Sequence, residues 1–121
     1  MDDTSKITLY LARRDAYAEF LNAVDAERTV IWYREAGRYE DGRAAVAAVD
    51  RAYDVTRAKF NVIDLEGVGP VKEGRALVER LREMERGDPS RPNWADFKKA
   101  REEFVSAASR YLKGLLPEAA A

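Results

Sequence analysis

Between Val46 and Ile63 the largely apolar positions recur at alternating spacings of three and four: Val46, Val49, Tyr53, Thr56, Phe60 and Ile63. That spacing stacks side chains along one stripe of an α-helix. Gly67, Gly69 and Pro70 then stop it, because glycine adopts left-handed turns without a Cβ penalty and proline lacks the donor that a continuing helix needs. The period recurs on both sides. Tyr17, Phe20, Leu21, Val24 and Ile31 form an earlier stripe with Tyr10 in phase one heptad before it. Val71, Gly74, Leu77, Val78, Leu81 and Met84 form a third, and Trp94, Phe97, Phe104, Ala108, Tyr111 and Leu115 a fourth.

Boundary residues turn these stripes into elements. Asp2, Asp3, Thr4 and Ser5 offer capping oxygens, and neither Gly nor Pro follows until after Ala36. A first helix of some 30 residues is about 45 Å long at 1.5 Å per residue. Asn93 with Asp96 three residues later makes a near capping box for the last helix, which ends before Pro117. Helices are expected at about 4–36, 43–66, 70–86 and 93–116. Short connections force antiparallel neighbours, so the chain reads as all-α, an antiparallel up-down-up-down four-helix bundle with a long first helix, one domain over 1–121. Ile7, Leu9 and Leu11 alternate as a strand would, but no second strand pairs with them. The surplus of helix one then packs on the turn between helices two and three, on the last helix, or on another copy. Gly74 in mid-helix marks a close crossing. Gly87 to Pro92 is a stiff polar connection expected to be the most flexible loop, and Ala119 to Ala121 are expected to fray.

Composition narrows the chemistry. With 46% hydrophobic and 36% charged residues the chain is a folded, helix-rich type. A formal net charge of -1 provides no global attraction to nucleic acid or an anionic membrane. Cysteine and histidine are both absent. No disulfide, thiolate, imidazole base, Ser-His triad or conventional zinc site is available, so an enzyme is not expected, nor a cofactor. Met1 to Leu11 has acids where a signal peptide wants bases, and no uncharged run approaches the roughly 20 residues of a membrane span; a cytoplasmic address is expected.

Weak motifs leave structural explanations ahead. Glu66 to Pro70 lacks the pattern of a phosphate loop and follows no strand. Asp50, Asp54 and Asp64 have no second acidic cluster in register, and Ser109 with Lys113 has no evident oxyanion hole. Lys98, Lys99, Arg101, Arg110 and Lys113 make the last helix locally basic, but Glu102 and Glu103 argue against a nucleic-acid site.

Two candidate sites remain. Trp32, Tyr33 and Tyr39, flanked by Arg34 and Arg38, either cap the core or form an exposed interaction patch. Arg14, Asp50, Asp54 and Arg101 make a candidate polar seam, with Arg14 paired to Asp50 or Asp54 if it is partly buried. The alternative places Arg14, Glu27 and Arg28 at the seam edge with stems packed and charges in water.

Arg13 to Leu21 resembles a segment near the start of many small uncharacterised actinobacterial all-helical proteins, as do Gly69-Pro70-Val71 and Glu103 to Leu112 in the same order. Ser109 departs from the alanine expected there, and Asp64 to Val68 is more polar than usual. The resemblance implies an all-helical cytoplasmic protein and carries no established function. The expected role is a non-catalytic helical protein acting through protein-protein interaction or self-association, with a protein partner or a homodimer. The alternative is a small-molecule sensor or unusual enzyme with a polar pocket between helices.

Overall fold

A computed structural model describes residues 2–87 and 93–117. The helices are α1 (Asp3–Glu35), α2 (Gly42–Glu66), α3 (Val71–Arg86) and α4 (Trp94–Leu115). Together they form an all-α four-helix bundle. The start and stop chemistry is local. The Asp2 side chain accepts from the Ser5 N–H at 2.7 Å, Asp41 from Ala44 at 2.8 Å and Asn93 from Asp96 at 3.1 Å. Each satisfies an N–H that the helix leaves open. Gly67 ends α2 at φ 66°, where a side chain is disfavoured. Pro70 is the residue before α3 and is fully buried. Asp88 to Pro92 and Ala119 to Ala121, for which mobility was expected, lie outside the described residues.

The bundle is not square. α1, with 33 residues against 25 in α2, packs on all three other helices, while α2 and α4 occupy opposite corners. One cluster of buried side chains fills the interior, centred on Phe20, Val24, Ile63, Leu77, Leu81 and Phe104. Phe20 meets Phe104 edge-on at 5.0 Å between centroids, a favoured aromatic geometry. α3 comes close to α2 because Gly74 has no side chain. A Cβ there would lie 2.9 Å from Phe60 Cε1.

Two expectations for the core are corrected. Val46 is 60% exposed, and Ala45 and Ala48 take its place on the inner face of α2. Small residues on an inner face allow close approach of a neighbouring helix. Glu27, expected at the seam edge, is fully buried, and the neighbouring Arg28 is exposed. No helix among the described residues is long and apolar enough to cross a membrane.

Candidate functional site

The C-terminal half of α1 and the N-terminal half of α4 diverge enough to leave an open groove of about 740 Å3. Trp32 and Thr29 line it from α1, and Trp94 and Phe97 from α4. Trp94 stands edge-on to Phe97 at 6.4 Å, and Trp32 is 44% exposed. Large rings held half out of water are typical anchors for a partner. Arg28, Lys98 and Arg101 add three cations, against one carboxylate, Asp25.

Arg101 and Asp25 cross the groove floor as a bidentate pair, with Nε and Nη2 donating to the two carboxylate oxygens at 2.9 and 2.8 Å. The hydrogen bonds to Asp25 hold the Arg101 guanidinium charged more firmly than usual. Asp25 is thereby consumed. Arg28 and Lys98 have no ion-pair partner among the described residues. Among the described residues the uncompensated charge of the groove is positive, on a chain that is slightly negative overall.

Trp32 and Tyr33 also meet, with ring centroids 5.5 Å apart, and Arg38 stacks over both at 4.6 and 5.1 Å. Tyr39 makes no ring contact with either of them among the described residues. The polar seam does not assemble. Arg14 is 54% exposed and sits 3.3 Å from Asp15, its own neighbour in sequence. Asp50 and Asp54 lie exposed on α2. Arg101 belongs to the groove. The basic residues of α4 divide between two faces: Lys98 and Arg101 line the groove, whereas Lys99 and Arg110 lie beside Glu73, Glu102 and Glu103 between α3 and α4.

A second polar centre lies inside the bundle. Glu27 on α1 is fully buried against Glu85 on α3, whose side chain is 5% exposed. Burial pushes the Glu27 carboxyl up to about 9, the Glu85 carboxylate beside it pushes the same way, and the Thr56 hydroxyl and Arg82 pull against them. With both carboxylates ionised and the Thr56 hydroxyl turned to the Ala23 and Ala52 carbonyls, neither oxygen of Glu27 has a donor among the described residues. A proton on Glu27 supplies the missing hydrogen and lets it donate to Glu85. Arg82 completes the centre, 2.8 Å from Glu85 and stacked 3.9 Å over the Tyr53 ring. Arg34 donates to the carbonyls of Glu85 and Met84 at 3.0 and 3.2 Å, tying the end of α3 to α1. These contacts hold helices together. Arg82 already occupies one oxygen of Glu85, and among the described residues no group of three or more acidic side chains is placed to hold a metal ion.

Trp94, Phe97, Lys98 and Asp25 are groove residues that the periodicity alone did not single out, since Trp94 and Phe97 share the phase of the α4 core stripe. The available signal was the placing of Arg28 at a seam edge and of Arg101 in the candidate polar seam, and these two lie on opposite walls of this groove. Comparison of the sequence with protein-family models, with curated proteins and with solved structures gives no match.

Proposed function

We propose that this chain is a non-catalytic, cytoplasmic interaction protein that binds a protein partner in the α1/α4 groove. The observation that carries the reading is the meeting, in one open groove, of the partly exposed Trp32 and Trp94, set against the buried Phe97, with Arg28 and Lys98, which have no ion-pair partner among the described residues. Aromatic anchors supply buried area at low entropic cost, and unpaired charges steer and select the partner. Neither the buried Glu27-Glu85 centre nor the separated Arg14, Asp50, Asp54 and Arg101 offers an accessible acid-base pair, which favours binding over catalysis. The dispersal of the α4 bases over two faces favours a protein over nucleic acid.

Affinity capture from the native cell, with the wild type beside Trp32→Ala and Arg28→Glu, tests this. A protein retained by the wild type and lost from both folded variants is expected. Equal retention by all three, or no specific retention, contradicts the reading.

Self-association is a second reading with its own observation. Val55, Ala58, Val62 and Leu65 lie exposed at spacings of three and four on the outer face of α2, and Leu65 is 87% exposed. Sedimentation showing a dimer that Leu65→Glu dissociates is the expected result of that reading, and a monomer at all concentrations removes it.

A further inference from the structure

Beyond Asp25 and Arg101 the face between α1 and α4 is open again, with no lining residue in common with the first depression. One turn further along each helix, Leu21 and Val105 open a second, mainly apolar depression of about 280 Å3 between the same two helices. Tyr10, Ala18 and Leu112 line it, with Arg14 and Lys113 at its edges. Among the described residues no carboxylate lines this depression. Among the described residues the lining of both depressions holds five cations, Arg14, Arg28, Lys98, Arg101 and Lys113, against the single carboxylate Asp25. Arg101 is paired with Asp25, and Arg14 lies 3.3 Å from Asp15, both exposed, which leaves Arg28, Lys98 and Lys113 without an ion-pair partner there.

The side chains along this face carry a helical register. On α1, Ile7, Leu11, Arg14 and Ala18 follow one another at spacings of four, three and four. Leu21, Asp25, Arg28 and Trp32 continue the same alternation without a break. This is the 3.5-residue period of a coiled-coil seam, yet it is not the seam buried in the bundle. The buried one runs through Tyr17, Phe20, Val24, Glu27 and Ile31, while Ile7, Leu11 and Trp32 are 43, 41 and 44% exposed. α1 thus carries a second stripe that α4 covers only in part: Asp25 is held by Arg101 and Leu21 packs against the core, whereas Ile7, Leu11 and Trp32 stay exposed. A seam of this period receives a helix by inserting side chains into the spaces between its residues.

We infer that the occupant of the α1/α4 groove is an acidic amphipathic helix of a partner protein, lying along both depressions. The inference rests on the proposed interaction role and specifies the partner. From Tyr10 to Trp32 is 22 steps along α1, about 33 Å of helix, so an occupant of about 22 residues spans the face. Its apolar stripe covers the aromatic end and the Leu21-Val105 end, and its carboxylates meet Arg28 and Lys98 at one end and Arg14 and Lys113 at the other. Concavity favours a helix over a lipid surface, since a bilayer cannot enter a trough between two helices.

The test is a selection from a displayed library of 22-residue helical peptides, free of tryptophan, with charged and apolar positions randomised. Enrichment of acidic peptides is expected, with binding weakened about tenfold by Arg28→Glu and also by Arg14→Glu. Both positions are exposed, and thermal melts with Lys98→Glu as a further variant confirm that the fold survives charge reversal. Enriched peptides sensitive to Arg28→Glu but indifferent to Arg14→Glu and Lys113→Glu overturn the continuous groove and leave the Trp32 site standing. Enrichment of basic or non-helical peptides, or none, overturns the inference. So does binding to phosphatidylglycerol vesicles in place of peptides, or a concentration-dependent dimer lost on Arg28→Glu, which makes the occupant a second copy.

Discussion

Arg101 on α4 holds Asp25 on α1 through both arms of its guanidinium, at 2.9 and 2.8 Å, across a sequence separation of 76 residues. This pair sets the spacing of α1 and α4 at the centre of their shared groove. Both side chains are about a third exposed, so solvent screens it.

Arg101→Lys keeps the charge and loses the fork. It is expected to cost about 0.5–1 kcal/mol at low salt, and less at 1 M salt, because a partly exposed pair is worth little beyond its geometry. Urea unfolding at two ionic strengths measures both values. It also relaxes the groove without changing its net charge.

Glu27 predicts a pH dependence of unusual sign. Its folded carboxyl is raised from 4.5 to about 9, so between those values the folded chain binds a proton that the unfolded chain lacks. The stability contributed by this group is greatest below about 4.5 and falls as pH rises toward 9. Glu27→Gln keeps a donor for Glu85 and cannot ionise. The variant is therefore expected to gain on the wild type steadily from pH 5 to pH 9, whereas Glu27→Ala, which leaves a cavity, is expected to lose about 2–3 kcal/mol at pH 5. Chemical denaturation across that range checks the slope.

Two glycines hold positions that alanine cannot take. At Gly69, with φ 73°, a Cβ would stand 2.6 Å from the Tyr17 hydroxyl and 3.1 Å from the Tyr111 ring. At Gly74 it would meet Phe60 at 2.9 Å. Overpacking is expected to cost about 1–3 kcal/mol at each site, outweighing at Gly74 the gain of about 1 kcal/mol in helix propensity. Gly67→Ala is the control, since φ is 66° there but the space is open. Thermal melts should rank Gly69→Ala as more damaging than Gly67→Ala.

The helices were legible because period, caps and stops agree at each of them. α2 begins after Asp41 and ends at Gly67, as its turn residues require, and Gly74 does mark a close crossing. The burial of Glu27 was not legible. A charged residue in a core phase ordinarily sits at the edge, and only the arrival of Glu85 from α3, distant in sequence, supplies a proton-sharing partner. The groove was half legible. Arg14 and Arg28 read as defects in one imperfect stripe, whereas they belong to a second stripe one residue away, which periodicity toward a single core cannot separate. Val46 misled for the opposite reason, since its phase fits while Ala45 and Ala48, apolar but small, are the residues that face inward.

Both tryptophans of the chain, Trp32 and Trp94, line the groove, so their emission reports on this surface alone. The direct measurement is a fluorescence titration with a tryptophan-free acidic amphipathic helix of 22 residues. A saturable blue shift, weakened by added salt and by Arg28→Glu, is the predicted result. Unchanged emission, or a shift indifferent to both salt and Arg28→Glu, would contradict the account.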